Sequence, residues 1–115
     1  MTIIPGNKVR GSDSGRPIMA LLDLLGRRWA LRMLWELRAG PLTFRALQAA
    51  CGDISPTVLN TRLAELRQAG IVGQGDEGYR LTDQGGELLA ALMPLHDWAE
   101  GWAAAISAAG TRDRP

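Results

Sequence analysis

The chain has 115 residues, of which 46% are hydrophobic, and a formal net charge of +1 at pH 7. This length and composition predict one compact domain with one hydrophobic core and exclude a chain that is disordered throughout. A single cysteine excludes an intrachain disulfide. No apolar run reaches the ~18 residues of a membrane span and no signal peptide is visible, so we expect a soluble cytoplasmic protein without a membrane partner.

The charges are unevenly divided along the chain. Residues 27–67 carry seven basic and three acidic side chains, a balance of +4. Residues 82–107 carry four acidic side chains and no Lys or Arg, a balance of −4. A basic segment is typical of nucleic-acid binding, so double-stranded DNA is the expected partner of the first half.

The N-terminal region is predicted to contain an arm and two helices. Residues 1–15 mix Gly, Ser, Asn and Pro without a helical period, which is typical of a flexible arm. Pro17 begins a first helix that Gly26 ends. Three apolar residues share one face of this helix: Met19, Leu22 and Leu25. A second helix, ending at Gly40-Pro41, is expected to bury an apolar stripe together with two tryptophans: Trp29, Leu31, Leu34, Trp35 and Leu37.

Two helices joined by a tight turn follow. Thr43 is a favourable N-cap for the third helix, and Ser55, with Pro56 in the first turn, begins a fourth helix that ends at Gly70. The apolar residues of the fourth helix recur at three- and four-residue intervals: Val58, Leu59, Leu63 and Leu66. The opposite face is short and polar: Thr57, Thr61, Ala64 and Gln68. Such a face fits a DNA major groove, and the arrangement is a helix-turn-helix pattern.

A wing and a long final helix complete the prediction. Two short β-type runs, Ile71-Val72 and residues 79–81, flank a Gly-rich turn. Thr82 caps a last helix whose apolar face extends over about 25 residues, or some 37 Å. This length exceeds what the small core can bury. Pro94 is expected to bend or divide that helix. The predicted fold is mainly α with a small two-stranded β wing, a winged helix-turn-helix over residues 16–110, followed by a tail over residues 111–115.

Exposed aromatic residues on the last helix indicate a subunit interface. Trp98 and Trp102 lie four residues apart on a helix longer than its own core. With the first helix they predict a homodimer interface: Met19, Leu22, Leu25, Leu95, Trp98, Trp102 and Ile106. A small apolar effector could also bind here, in a pocket formed by Met93, His96, Trp98 and Trp102.

The remaining reactive side chains favour structural roles. His96 is interpreted as a packed or hydrogen-bonded histidine rather than a metal ligand, because no spacing near it is typical of a metal site. Cys51 is interpreted as a small buried hydrophobe rather than a redox group. One histidine, one cysteine and no phosphate loop or paired carboxylates predict that the protein is not an enzyme and has no cofactor.

Four strings carry a family resemblance: LDLLGRRWALRMLWEL, GPLTFRAL, ISPTVLNTRLAEL and YRLTDQG. Over about residues 18–102 the chain resembles the HxlR-type winged helix-turn-helix transcription regulators, a branch of the MarR-like group. The resemblance implies a homodimer that is held by the first and last helices and binds an inverted-repeat operator. It implies DNA contacts at Ser55, Pro56, Thr57, Asn60, Thr61 and Arg62, and contacts to the DNA backbone near Thr43 and Arg45. The periodicity of the fourth helix independently places Thr57 and Thr61 on the face that is expected to contact DNA.

The chain departs from the family pattern at two places. Family members that sense oxidants carry a cysteine beside a proline just before the first helix, where this chain has Arg16. The wing is short, and Asp76 and Glu77 at its tip would repel phosphate, which leaves Arg80 as the nearby cation. The prediction is therefore a DNA-binding transcription regulator with a small ligand as candidate effector. The alternative is a winged-helix protein interaction module that does not read DNA.

Overall fold

The computed structural model describes residues 16–113, and the predicted arm (1–15) lies outside them. Within this range the backbone forms five helices and one antiparallel two-stranded sheet, as predicted: α1 Pro17–Leu25, α2 Ala30–Glu36, α3 Phe44–Ala50, α4 Pro56–Gln68, β1 Val72–Gly75, β2 Gly78–Leu81 and α5 Asp83–Asp113. None of these helices is long and apolar enough to cross a membrane.

Side-chain caps define where three helices begin. The Thr43 hydroxyl accepts a hydrogen bond from the Ala46 amide at 3.1 Å, and the Ser55 hydroxyl accepts one from the Val58 amide at 3.1 Å. Thr82 accepts from the Gly85 amide at 3.0 Å. Each cap satisfies an amide that has no partner within its own helix. The three predicted caps are thus confirmed.

The core lies where the first four helices meet the sheet. Leu59, Leu63 and Leu66 of α4 are fully buried, and α3 contributes Leu47. The polar residues of α4 therefore face solvent, as the periodicity predicts. From the other elements the core takes mainly aliphatic side chains: Ala20, Leu24, Met33, Leu34, Leu37, Ile54, Ile71 and Val72.

The first two helices are oriented differently from the prediction. Leu25, assigned to the dimer face, is 8% exposed and belongs to the core, which corrects that assignment. Leu31, assigned to the buried stripe, is 49% exposed. The reason is local, because Trp29 adopts a left-handed conformation with φ of 78° and α2 begins only at Ala30. This turn therefore determines which side of α2 lies against the core, and Ala30 rather than Leu31 points into it.

The wing is a tight hairpin rather than two strands around a six-residue loop. Val72 pairs with Leu81 and Gly75 pairs with Gly78, so the turn contains only Asp76 and Glu77. The Gly-rich segment is thus mostly strand, which corrects the predicted strand ends.

The second strand of the wing is fixed, close to the turn, to the loop that precedes α3. Leu42 and Tyr79 exchange two backbone hydrogen bonds of 2.9 and 2.8 Å. Gly78 has φ of 113°, and a Cβ at this position would collide with the Leu42 carbonyl. This close approach requires glycine.

The last helix is anchored at its first turn and then leaves the core. The Thr82 hydroxyl donates to the Gly70 carbonyl at 2.6 Å, and Leu88 and Leu92 pack against the core. The helix continues without a break through Pro94, so the predicted division is wrong. Pro94 is exposed, and proline removes one helical hydrogen bond without preventing the helix from continuing. The helix also extends to Asp113, into the range predicted as a tail.

Two adjacent glycines test how tightly α5 is seated. A Cβ on Gly85 would collide with the Ile71 carbonyl, whereas a Cβ on Gly86 meets no atom within 4 Å. We expect Gly85→Ala to lower the free energy of unfolding by at least about 2 kcal/mol through overpacking. The matched control Gly86→Ala should raise it by up to about 1 kcal/mol, because alanine favours helix. Urea unfolding followed by circular dichroism measures both. Equal stability of the two variants would contradict the close packing of Gly85 against the Ile71 carbonyl.

Candidate DNA-binding surface and exposed apolar surfaces

A strip of short, uncharged and mostly polar residues runs along the solvent face of α4 and its N-cap. Its members are exposed: Ser55, Pro56, Thr57, Asn60, Thr61, Ala64 and Gln68. They lie on this face because three leucines anchor the opposite side of the helix in the core. The strip contains no charged side chain, so it can approach base edges without an electrostatic cost from its own residues. We call these seven residues the reading face.

Hydrogen bonds within α4 determine what the reading face offers. The Thr61 hydroxyl donates to the Thr57 carbonyl at 2.9 Å, so it presents oxygen lone pairs and a methyl group outward. In the described part of the chain, the Asn60 amide has no hydrogen-bond partner. A free carboxamide can both donate and accept, as bidentate recognition of adenine requires.

Three exposed arginines lie on α4 and on two other elements of the winged helix-turn-helix. Arg45 lies on α3, Arg67 on the last turn of α4 and Arg80 on β2, and all three are exposed. Among the described residues none of the three has an ion-pair partner. The Arg80 guanidinium lies beside Gly73, within van der Waals distance of where a Cβ would stand. Arg67 was not singled out from the sequence, although its place on the polar side of α4 was visible there.

Arg62 differs from the free cation that the family resemblance implies. Its Nε donates to the Arg28 carbonyl at 2.8 Å, and its Nη1 contacts Glu65 at 2.7 Å. The side chain is half-buried and lies between the reading face and the core. The guanidinium therefore has partners within the protein, and a contact from Arg62 to DNA stays a prediction.

Two helices present exposed apolar side chains. On α1 these are Ile18 and Leu22, one helical turn apart, while Met19 is half-buried. On α5 the exposed set matches the predicted one: Leu95, Trp98, Trp102 and Ile106. Trp98 and Trp102 are 62% and 54% exposed and stack with ring centroids 5.9 Å apart. Ile18 is an addition to the predicted surface, detectable from its i, i+4 spacing to Leu22.

An apolar groove of about 340 Å³ lies between α2 and α5. Ten residues line it: Leu31, Arg32, Leu34, Trp35, Leu89, Leu92, Met93, Leu95, His96 and Ala99. Met93 and His96 of the predicted ligand pocket line this groove, and Trp98 and Trp102 do not; a pocket that these four residues form between two subunits stays a prediction. His96 stacks on Trp35 at 5.3 Å, and the Arg38 guanidinium lies 3.9 Å from the Trp35 ring centroid.

The groove is linked to the helix-turn-helix through Arg32. Its Nη2 donates to the carbonyl of Ala50, the last residue of α3, at 2.9 Å, and its Nε lies 3.4 Å from Glu36. The same side chain thus touches both the groove and the turn that leads into α4.

Cys51 is buried at the end of α3. Burial raises the pKa of its thiol, nearby Glu36 raises it further, and Arg32 acts in the opposite direction. A thiol with a raised pKa carries little thiolate at neutral pH and is a poor nucleophile. The interpretation of Cys51 as a buried hydrophobe agrees with this placement. Among the described residues, no three acidic, His or Cys side chains lie close enough to hold a metal ion.

Comparison with known proteins gives concordant matches. Residues 24–107 match the family model described as HxlR-like helix-turn-helix. The HTH-type transcriptional regulator YvaP of Bacillus subtilis is 32% identical over 88 residues, covering 70% of this chain and 82% of YvaP.

Two solved structures have the same architecture. Quinone-bound YodB from Bacillus subtilis matches with a TM-score of 0.69 and 32% identity, over 73% of this chain and 96% of YodB. A MarR-family regulator from Enterococcus faecalis matches with a TM-score of 0.71 and 27% identity, over 88% of this chain and 98% of that protein.

Proposed function

The chain belongs to the HxlR-like helix-turn-helix family of transcription regulators, and we propose that it is a homodimer that binds an inverted-repeat DNA operator in a sequence-specific manner. The observation that carries the proposal is the uncharged, exposed reading face of α4, on a helix-turn-helix whose α3, α4 and wing each carry an exposed arginine. The resemblance seen in the four sequence strings is confirmed by the family match. Operator binding, dimerisation and an effector are parts of the proposal.

In the proposed complex, α4 lies in the major groove and its first two turns read base edges. Asn60 makes a bidentate contact with adenine, and Thr61 offers its hydroxyl oxygen to a base amino group or its methyl to thymine. Thr57 lies one turn before Thr61 on the same side. Ser55 and Pro56, at the start of α4, approach the DNA backbone beside the bases.

The surrounding groups hold the helix in register on the phosphates. Arg45 and Arg67 lie on the two helices of the helix-turn-helix, and Arg80 lies on the wing. Thr43 uses its hydroxyl oxygen as a cap acceptor, so its hydroxyl hydrogen remains available to a phosphate. These contacts contribute affinity and salt dependence rather than sequence preference.

The exposed apolar residues of α1 and α5 form the proposed dimer surface. Stacked Trp98 and Trp102, with Leu95, Ile106, Ile18 and Leu22, present more large apolar side chains than a monomer of this size keeps in water. Two-fold pairing through this surface would place two α4 helices about 34 Å apart, in successive major grooves of one DNA face.

A small apolar effector in the groove between α2 and α5 is the proposed signal. The groove has a suitable size for such a molecule, and nearly all its lining is apolar. Arg32 connects it to the end of α3, so an occupant that displaces Arg32 would shift the turn before α4. YodB has been solved with a quinone; here the chain's one cysteine is buried with a raised pKa, so we propose non-covalent binding.

A protein interaction module that does not bind DNA is the second candidate function. The observation that favours it is the wing tip, where Asp76 and Glu77 are exposed and would repel phosphate. A binding titration against genomic fragments separates the two functions. Salt-sensitive binding supports the regulator, and its absence supports the interaction module.

The first prediction concerns base reading. The double variant Asn60→Ala, Thr61→Ala should lose about tenfold or more of its preference for selected operator fragments over random DNA, because base contacts are removed. Arg45→Ala is the matched contrast. It should weaken binding to all DNA sequences alike and lower the slope of log affinity against log salt concentration by about one. Fluorescence anisotropy at fixed salt measures both. An unchanged operator preference in the double variant would refute the assigned reading residues.

The second prediction concerns assembly. Trp102→Ala should shift sedimentation equilibrium toward the monomer by about tenfold or more in dissociation constant, since a buried aromatic at an interface is typically a hot spot. Glu100→Gln, also exposed on α5, is the control and should sediment like the wild type. A wild-type chain that stays monomeric at micromolar concentration would contradict the proposed dimer.

The third prediction concerns the groove. The aromatic dye anilinonaphthalene sulfonate should bind the wild type and lose about fivefold or more in affinity in Ala99→Phe, because the new ring fills the groove. Ala90→Phe is the control, because it adds a phenylalanine ring at an exposed position of α5. Dye fluorescence titration measures the affinities. If both variants bind the dye as the wild type does, the groove is not the ligand site.

A further inference from the structure

An ion-pair network joins α4 to the end of α1. Glu65 of α4 contacts Arg62 at 2.7 Å through one carboxylate oxygen and Arg27 through the other. Arg27 also pairs with Asp23 of α1 at 3.0 Å. These four side chains are between 8% and 22% exposed, so solvent screens the network only in part. We call them the Glu65 network.

The network connects parts of the chain that are distant in sequence. Arg62 reaches the Arg28 carbonyl, 34 residues away, and Arg27 lies in the turn between α1 and α2. The next residue, Trp29, has the left-handed φ of 78°. Such backbone strain persists only where surrounding contacts hold the segment, and the bond from Arg62 to Arg28 is one of those contacts.

The location of Glu65 on α4 separates this role from DNA contact. At about 100° per residue, Glu65 lies some 40° around the helix from Thr61, and Arg62 lies some 100° from it. The network therefore occupies the flank of the helix between the reading face and the core. It fixes the angle of α4 against the end of α1, because Arg27 of the α1–α2 turn holds Glu65 and the Arg28 carbonyl of the same turn accepts from Arg62.

Partly buried ion pairs contribute little net stability, but they favour one geometry over others. The geometry held here is that of α4 relative to α1, and α1 belongs to the proposed dimer surface. Two copies of this angle determine the separation and facing of the two reading helices in a dimer.

We propose that Glu65, held between Arg27 and Arg62, is a positioning residue that sets the half-site spacing accepted by the dimer. This inference rests on the proposed function. In it, Glu65 and Arg62 touch no base, and their substitution changes which operator geometry is bound.

The test uses the full chain and operators of altered spacing. Fragments selected by the wild type define the preferred half-site spacing, and operators with one base pair added or removed are then compared. One base pair moves the half-sites by about 3.4 Å and rotates them by about 35°, so the wild type should lose about tenfold or more in affinity. In Glu65→Gln this penalty should fall below about threefold, because α4 can then take a range of angles against α1 while its leucines stay buried.

Two controls identify the cause. Glu87→Gln also removes an acidic side chain, but Glu87 is exposed on α5 and has no ion-pair partner among the described residues, so the spacing penalty should stay at the wild-type value. Arg27→Gln leaves the Glu65 and Arg62 pair intact and cuts the link to α1, so it should reduce the penalty as Glu65→Gln does. It also serves as the second variant if Glu65→Gln does not fold, which thermal melting reports.

The outcomes are distinguishable. A wild type with no spacing preference overturns the proposed dimeric function, and this inference with it. A wild-type preference that persists in folded Glu65→Gln and Arg27→Gln overturns this inference alone. If Arg62→Ala weakens all DNA alike, flattens the salt dependence and keeps the spacing penalty, Arg62 is a phosphate contact and the inference is overturned.

Discussion

Burial of three leucines on one side of α4 is the constraint on which the remaining surface depends. Leu59, Leu63 and Leu66 are fully buried, and each contributes roughly 1.5–3 kcal/mol relative to an exposed position. Turning the helix by one residue, about 100°, would expose leucine and bury polar side chains. The reading face thus follows from packing on the opposite side. Beyond the cap at Ser55 and the proline that follows it, its chemistry is set by exposed residues that contribute little to stability, so these can vary without loss of the fold.

Most of the helices and strands could be predicted from local sequence patterns, because their formation depends on residues close together in the chain. The caps at Thr43, Ser55 and Thr82, and the exposed aromatics of α5, follow from spacing and side-chain type alone. The reversed burial of Leu25 and Leu31 could not be predicted in this way. For Leu31 it depends on the left-handed turn at Trp29, a residue type that rarely adopts that conformation and carries no sequence signal for it.

Long-range polar contacts are the second part that periodicity does not indicate. Arg62 and Glu65 form a spacing that occurs on many solvent-exposed helices, yet here both side chains reach the α1 end of the molecule. A cation predicted for phosphate is thereby held inside the protein. A long-range contact also explains why the strand ends of the wing are predicted wrongly. Glycine is typical of turns, but Gly78 lies in β2, where the close approach of Leu42 requires glycine.

The anchored hairpin determines how the wing can contribute to DNA binding. Its pairing with Leu42, directly before the cap of α3, ties the wing to the start of α3. The two-residue turn keeps Asp76 and Glu77 at the tip, so the tip cannot fold away from an approaching phosphate. Arg80, near the middle of β2, is set back from these acids and lies against Gly73. In the proposed complex the wing therefore contacts DNA through the side of its second strand, with its position fixed relative to Arg45 on α3.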